Sequence, residues 1–596
     1  MGSLALKIKT PNPLKGAFKG VELNNFAKIK SPLGDLGVNY HLLFWMLLTG
    51  WMCLNFIQAV FTEVISDESY YYLYGENPAW GYFDHPPMIG LSIYLSNLIF
   101  SGNLSIRFMT ILFQVGTLWV CWKLIDEKLP DTNKVLTFFI IAASLVMFQA
   151  YGFITTPDVP FLFFTALFLL SYQKFWGKES WIAVLLLAVS MAGLVYSKYH
   201  AVLVIGLIVL SNLKLLTRYK FWIAGLLALI LLFPHIYWQV SRDFPSIKYH
   251  IGDRNNGFEW PCFLGFVPNQ MAVFNPFTLG AVVYILIKHR ASGAFERGLY
   301  FLIIGFIGFF FALSTFRYVE PHWTVACSIP IIVLLYRQSM QNEKLMRFVK
   351  RWIAPSILLV LIARIVLACG LLPQRLGFSG KEKKSKEIES VAKDLPVVFT
   401  GSFQQASDYH FFTNRVSLLL SAANSRATQF DFLQKELDYQ GKPVFVCVPM
   451  QGKSQPYKAG DHVIEGYFAE HFQSVNRVKI EYELTQKVFY TGDTLHIDIE
   501  INNSSGKDID FQHPEFPVTC KVGFGAFPGI RKIEFFDCEL NEPVHILPAN
   551  GKLERKLTAV IPNLSPSRYQ FLVTLVNPIC PARNSSYIPI EIKEKK

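Results

Sequence analysis

The residues best suited by type and spacing to do chemistry stand just after the first long apolar run. There Ser66-Asp67-Glu68-Ser69 leads into Tyr70, Tyr71, Tyr72 and Tyr74, so two adjacent carboxylates sit among aromatic rings at a lipid–water boundary. Aromatic bulk withholds water from a carboxylate, and a neighbouring acid repels its charge. Both effects raise a carboxyl pKa and suit the group to act as a general base. A solvated acidic loop within an interfacial aromatic belt is the plain alternative for the same residues. Asp84-His85-Pro86-Pro87 follows in the same loop, where consecutive prolines end one segment and start the next, fixing Asp84 and His85 at a turn. A His beside an Asp at a helix entrance can bind phosphate, ligate a metal or orient a base, and an isolated pair of this kind is also a common structural feature. Asp158 opens another apolar run after Thr155-Thr-Pro, where it also suits a simple helix N-terminal acid. Lys198 lies between two apolar runs and either snorkels or meets an anion, and Arg317, Glu320 and His322 fall within six residues of one another. Together these residues offer carboxylates that accept a proton and cations that hold a phosphate, an inventory suited to group transfer from a lipid-linked phosphate.

The elements that must position them are membrane spans. Of the 596 residues, 52% are hydrophobic and only 17% charged, which excludes disorder, collagen-like repeats and an ordinary cytosolic enzyme. Apolar runs of about the 20 residues needed to cross a bilayer occur near 40–65, 104–124, 134–152, 157–174, 181–197, 200–216, 220–240, 270–288, 297–315, 322–338 and 352–372. The stretch after Pro87 is too short to span comfortably and is expected along the membrane surface. Lys and Arg concentrate in alternate loops, beginning with six lysines in the first 39 residues. By the positive-inside rule those loops are cytoplasmic, and an odd number of spans puts the chain after residue 372 on the outer face. The net charge of +12 thus reads as an orientation code rather than a nucleic-acid surface. The N-terminal segment has no short apolar core with a small-residue cleavage site and does not read as a signal peptide.

The domain plan expected is a cytoplasmic segment 1–39, a transmembrane domain 40–372, a charged linker 373–394, an outer α/β unit 395–472 and a β-sandwich 473–596. The α/β unit is expected from Pro396-Val-Val-Phe-Thr, Pro443-Val-Phe-Val-Cys-Val and a helix-like stretch between them; the sandwich from alternating runs such as Thr494-Leu-His-Ile-Asp-Ile-Glu-Ile. The nine cysteines show no CxxC and no paired His, so neither zinc nor a redox motif is written, although Cys520 and Cys538 would pair if their strands are neighbours. No Walker, dinucleotide, HExxH or GxSxG pattern supports nucleotide-driven transport or the familiar hydrolases.

Asp67-Glu68 beyond the first span, Tyr82-Phe-Asp-His-Pro-Pro-Met88, Thr156-Pro-Asp158 and Ser197-Lys-Tyr199 resemble the GT-C glycosyltransferases that use lipid-phosphate sugars, among them protein O-mannosyltransferases and the lipid A aminoarabinose transferase. The resemblance covers roughly residues 40–340. It implies that the apolar runs, about eleven transmembrane helices by their count, form a GT-C fold, and it implies an inverting sugar transfer from a polyprenyl-phosphate donor. Asp67, with Glu68 beside it, would be catalytic, deprotonating or orienting the acceptor hydroxyl. Asp84, His85, Asp158, Lys198, Arg317 and His322 would bind the donor phosphate and substrate. Family members commonly carry Glu-Lys where this chain has Asp84-His85, so a phosphate contact from His85 would be pH-sensitive or replaced by another cation. The expected partners are membrane lipid, the lipid-linked donor and a glycan, lipid or protein acceptor, with room for a divalent metal and no nucleic acid. The expected location is the inner membrane, multi-pass, with the C-terminal region periplasmic. A flippase for a lipid-linked glycan and a non-catalytic envelope assembly factor are the alternatives; charges gathered at one set of span edges favour chemistry at one face.

Overall fold

The computed structural model of the chain describes residues 39–250, 260–374, 377–448, 453–527 and 532–594. Residues 1–38 of the expected cytoplasmic segment lie outside the described residues, as does the end, Asp253-Arg254, of a long polar loop from Arg242 that the sequence suggests could close over a substrate.

Apolar composition dictates helices here, because a backbone in lipid must satisfy its own hydrogen bonds. The helices run α1 (Tyr40–Phe61), α2 (Ser66–Glu76), α3 (Met88–Asn97), α4 (Leu104–Ile125), α5 (Thr132–Ser144), α6 (Val146–Ala150), α7 (Asp158–Gly177), α8 (Trp181–Ser197), α9 (Ala201–Ser211), α10 (Tyr219–Ser241), α11 (Trp260–Phe274), α12 (Pro276–Lys288), α13 (Gly293–Ser314), α14 (Pro321–Gln341) and α15 (Glu343–Ala368). Seven of them, α1, α4, α7, α10, α13, α14 and α15, are long and apolar enough to cross a membrane. The pair α11–α12, bent by 102° at its break, makes an eighth. The remaining apolar runs of the sequence form the shorter helices α5, α8 and α9. At 1.5 Å per residue, the 11 residues of α9 extend only about 16 Å, half the hydrocarbon thickness. Helix α10 exposes Tyr219, Trp222, Leu226, Leu229, Phe233 and Tyr237, an apolar face fit for lipid, while α14 is almost wholly enclosed.

The short α3 does not lie free on a surface. Ile89 and Ile93 are buried against α2 and α4, and Gly75 of α2 permits that approach, since a Cβ there would collide with Ile93. After α15 come α16 (Lys381–Ala392) and α17 (Phe403–Thr413) beside a five-stranded sheet. Its spatial order is Ser417–Leu420, Val397–Thr400, Val444–Val446, His462–Ala469, Gln455–Ala459, with the first three strands parallel. The chain ends in a strand-rich region in which a five-stranded and a four-stranded sheet enclose a core of Ile480, Ile497, Ile499, Ile501, Leu557 and Phe571, among others.

The C-terminal part is fastened to the bundle at α2. Glu63, just before α2, accepts the backbone N–H groups of Gly380, Lys381 and Glu382 at 2.8, 2.6 and 3.1 Å, so a carboxylate from the membrane part caps the N-terminus of α16. The Ser66 hydroxyl donates to Asp408 of α17 at 2.7 Å, and His410 meets Glu76 at 2.6 Å. Helices α2 and α17 therefore pack as one layer, and the space they border is the candidate site.

Candidate active site

Helix α2 begins where a chain leaving α1 can first cap itself. Asp67 and Glu68 both fall in its first turn, where carboxylates favour the positive end of the helix, and Glu68 accepts the Ile65 N–H at 3.0 Å. Adjacent residues on a helix point about 100° apart, so the two acids part company. Glu68 turns inward to Arg107 of α4, with Nε–Oε1 at 2.8 Å and Nη2–Oε2 at 2.5 Å, and it also accepts the Thr155 N–H at 2.8 Å. Both side chains are 0% exposed. Asp67 turns the other way, into a cavity of about 740 Å³.

That cavity gathers Asp67, Asp84, His85, Asp158, Lys198, Arg317 and His322 from five separate stretches of chain. Glu68, expected beside Asp67 at the reacting centre, does not line it: its carboxylate is sealed behind the wall and fully coordinated. Met147, Ile154, Phe309, Phe310, Leu313 and Leu367 line an apolar portion, so charged and hydrocarbon surfaces share one hollow. Asp158 is the first residue of α7 and accepts from Lys198 at 2.7 Å; both are buried, so Lys198 meets an anion rather than snorkelling. His322 Nε2 lies 3.8 Å from the other Asp158 oxygen. Arg317 donates to the His250 carbonyl at 3.1 Å.

Burial is the main influence on the Asp67 carboxyl and raises it above the ordinary carboxylate value. The Gln404 amide, 3.4 Å away, and Arg426 pull it down, while Asp84 and Glu320 push it up. The residue's surface is open to the cavity even though protein hems it in on most sides, and the neighbouring acids that matter are Asp84 and Glu320 rather than Glu68. Asp84 behaves oppositely. Burial alone would raise it, but His85, Arg426, the Tyr74 hydroxyl and His250 outweigh that and hold it below the usual carboxylate range. His85 sits 3.3 Å from the Tyr71 hydroxyl.

Tyr71, one of the aromatic residues beside Asp67, lines the cavity from α2, and Tyr249 and His250 line it from the end of a short helix that begins at Pro245. Phe403, Gln404 and Arg426 had no place in the sequence reading; they come from the C-terminal α/β part, which roofs the cavity. Gln429 ties the roof down, donating its N–H to Tyr70 Oη at 2.8 Å and accepting the Phe83 N–H at 3.0 Å. Arg107 was missed as well, though a lone arginine three residues into an apolar run is itself a signal, because such a charge requires a partner. Arg426 carries no comparable signal in the sequence. Among the described residues, no three His, Cys, Asp or Glu side chains are grouped to hold a metal ion.

A family model described as dolichyl-phosphate-mannose-protein mannosyltransferase matches residues 84–238, a stretch that includes Asp84, His85, Asp158 and Lys198. No curated protein sequence matches the chain. Among solved structures the chain is similar to ArnT from Cupriavidus metallidurans in the apo state, with a TM-score of 0.54 at 11% identity over 73% of this chain and 98% of that one. The same protein bound to undecaprenyl phosphate gives 0.53 at 11% identity over the same shares. At that identity the likeness is one of fold, and it agrees with the helix inventory and with the matched segment. The chain has the fold of the GT-C glycosyltransferases.

Proposed function

We propose that the protein transfers a sugar, with inversion, from a polyprenyl-phosphate donor to a hydroxyl of a lipid, glycan or protein acceptor. The observation that carries this reading is the meeting, in one cavity with an apolar portion, of Asp67 and the cations Lys198, Arg317 and Arg426. The apolar portion suits the first isoprene units of the donor, and the cations suit its phosphate. The ArnT structure with undecaprenyl phosphate supports a ligand of this class in this fold. Asp67, its carboxyl lifted by burial, takes the proton of the acceptor hydroxyl as that oxygen attacks the anomeric carbon from the face opposite the phosphate. The new C–O bond forms as the sugar–phosphate C–O bond breaks. Its electron pair leaves with the polyprenyl phosphate, whose growing charge Lys198 and Arg317 stabilise. Asp158 holds Lys198, and Glu68, with Arg107, holds α2 so that Asp67 faces the cavity.

The same reading sets the protein in the inner membrane, with the cavity on the outer face. Lysines and arginines such as Lys128, Lys174, Lys178, Lys214, Arg218, Lys288 and Arg347 belong to the opposite loops, in keeping with that orientation. The test is transfer by purified full-length protein in nanodiscs, supplied with a ¹⁴C-labelled polyprenyl-phosphate sugar pool and membrane acceptors. The expected result is label in an acceptor with inverted anomeric configuration and stoichiometric release of polyprenyl phosphate. Release of free sugar alone, or retained configuration, would overturn it.

A further inference from the structure

Arg426 stands apart from the other cations of the cavity in where it comes from and in how it is used. It belongs to the loop after strand Ser417–Leu420 of the α/β part, far from the bundle in sequence. Both of its hydrogen bonds leave from one nitrogen, Nη1: to the Tyr249 hydroxyl at 2.6 Å and to Asp84 Oδ2 at 3.3 Å. The guanidinium lies over Phe403, 4.4 Å from the ring centroid, and 5.2 Å from that of Tyr249. Two aromatic faces and two acceptors therefore fix its plane. Nε and Nη2 have no protein partner among the described residues, nor are they sealed from solvent. The side chain keeps 29% of its exposure, against 9% for Lys198, and it lines the cavity.

A guanidinium edge with two parallel N–H groups matches two oxygens of a phosphate, and an edge already held in place loses little freedom on binding. We propose that Arg426 is an oxyanion ligand of the cavity, taking a phosphate on its Nε–Nη2 edge, so that a bound substrate bridges the C-terminal roof and the membrane bundle. That the phosphate is the donor's rests on the transfer reading above. A phosphate there would leave the Nη1 contact to Asp84 in place, a single contact that at 3.3 Å is long for a charged pair, and would feel the Asp84 carboxylate as a repelling charge nearby. The C-terminal part is then a contributor to the binding site rather than an appended module.

The test uses full-length protein in nanodiscs, with undecaprenyl phosphate and inorganic phosphate as probes. Arg426→Gln is expected to weaken undecaprenyl phosphate binding on the order of 10- to 100-fold. Arg426→Lys, which keeps the charge and loses the fork, should fall between. Asp84→Asn should bind at least as tightly as wild type, because it removes a negative charge beside the phosphate and leaves the Nε–Nη2 edge open. Arg415→Gln, at a surface pair with Glu389 and Asp394, should bind as wild type does. Thermal midpoints and size-exclusion profiles taken alongside separate misfolding from lost binding. A folded Arg426→Gln protein that binds within about twofold of wild type overturns the inference and leaves the transfer reading standing. Weakening by Asp84→Asn equal to that by Arg426→Gln also overturns it, since the pair would then be purely structural. Wild type that binds inorganic phosphate through Arg426 but not undecaprenyl phosphate supports the Arg426 site and sinks the lipid-donor reading. Wild type that binds neither probe overturns the inference.

Discussion

The two sides of α2 carry the same chemistry in opposite states. On the inner side Glu68 meets Arg107; on the cavity side Asp84 meets Arg426. Each is an acid with an arginine, and each joins segments distant in sequence. The inner pair is saturated: Glu68 Oε1 accepts from Arg107 Nε and Thr155 N–H, Oε2 from Arg107 Nη2 and Ile65 N–H, and nothing of either side chain reaches solvent. Arg107 also donates to the carbonyls of Ala59 and Thr62 where α1 ends, leaving it no capacity for a ligand. The outer pair touches through one nitrogen and keeps an open edge. Saturation, together with the 29% exposure that Arg426 keeps, is what distinguishes an ion pair that holds a fold from one with capacity left for a ligand.

The adjacent acids Asp67 and Glu68 give the sharpest way to break this comparison. Asp67→Asn should lower transfer by about 10²- to 10⁴-fold, with an unchanged thermal midpoint, because only a proton acceptor is lost. Glu68→Gln should do the reverse. It leaves the Arg107 charge uncompensated in a sealed site, a cost of about 3–5 kcal/mol, visible as a lowered thermal midpoint and poor recovery of monodisperse protein from detergent. A stable Glu68→Gln protein that has lost activity, or an unfolded Asp67→Asn protein, would invert the roles assigned to the two sides.

Next in size is the joint between α2 and the C-terminal part. Asp408 of α17 is raised to about 6, chiefly by burial, against the hydroxyls of Ser66 and Ser69 and the charge of Lys381, which pull it down. Its folded value lies above the unfolded 3.8, so the folded state prefers the protonated form. The stability this contributes is complete below the unfolded value and is lost as pH rises through about 6. The gap of roughly two units corresponds to about 3 kcal/mol. Asp408→Asn, which imitates the protonated group, should therefore match wild type in thermal midpoint near pH 4 and exceed it at pH 8. Equal midpoints at both pH values would show that the joint does not feel this charge.

Much of the bundle was legible because its code is local. Each apolar run became a helix or a helix pair, and the residues that interrupt apolar sequence at the span edges, Asp67, Asp84, Asp158, Lys198, Arg317 and His322, came together in the cavity. The alternation of strands was legible in the tail for the same reason. Glu68 misled because adjacency in sequence reads as partnership, whereas the helical rotation of about 100° per residue sends neighbours to different faces. Arg107 was readable in principle, as a charge inside a span. Arg426 was not: its Asn424-Ser-Arg-Ala-Thr surroundings are those of any polar loop, and its partner Asp84 is 342 residues away. Nothing short of the tertiary fold brings the roof over the cavity.

The smallest expected effect tests whether that roof touches the chemistry or only covers it. Gln404 of α17 donates to Asp67 Oδ1 at 3.4 Å, a long contact, and so favours the ionised carboxylate weakly. Gln404→Leu removes the donor, so the Asp67 carboxyl should rise further above its ordinary value. On the proposed mechanism Asp67 serves as a base only when ionised, so activity should fall as pH drops through its pKa, and the acidic limb of the kcat/KM profile should move to higher pH. At the lower limit of about 0.5 kcal/mol for a hydrogen bond, the change near the midpoint is roughly twofold, with the alkaline plateau unaltered. A drop of the plateau with no movement of the limb would mean that Gln404 handles the acceptor rather than the base. The roof would then differ from the sealed side of α2 in kind as well as in openness, since it would bind substrate without setting the charge on Asp67.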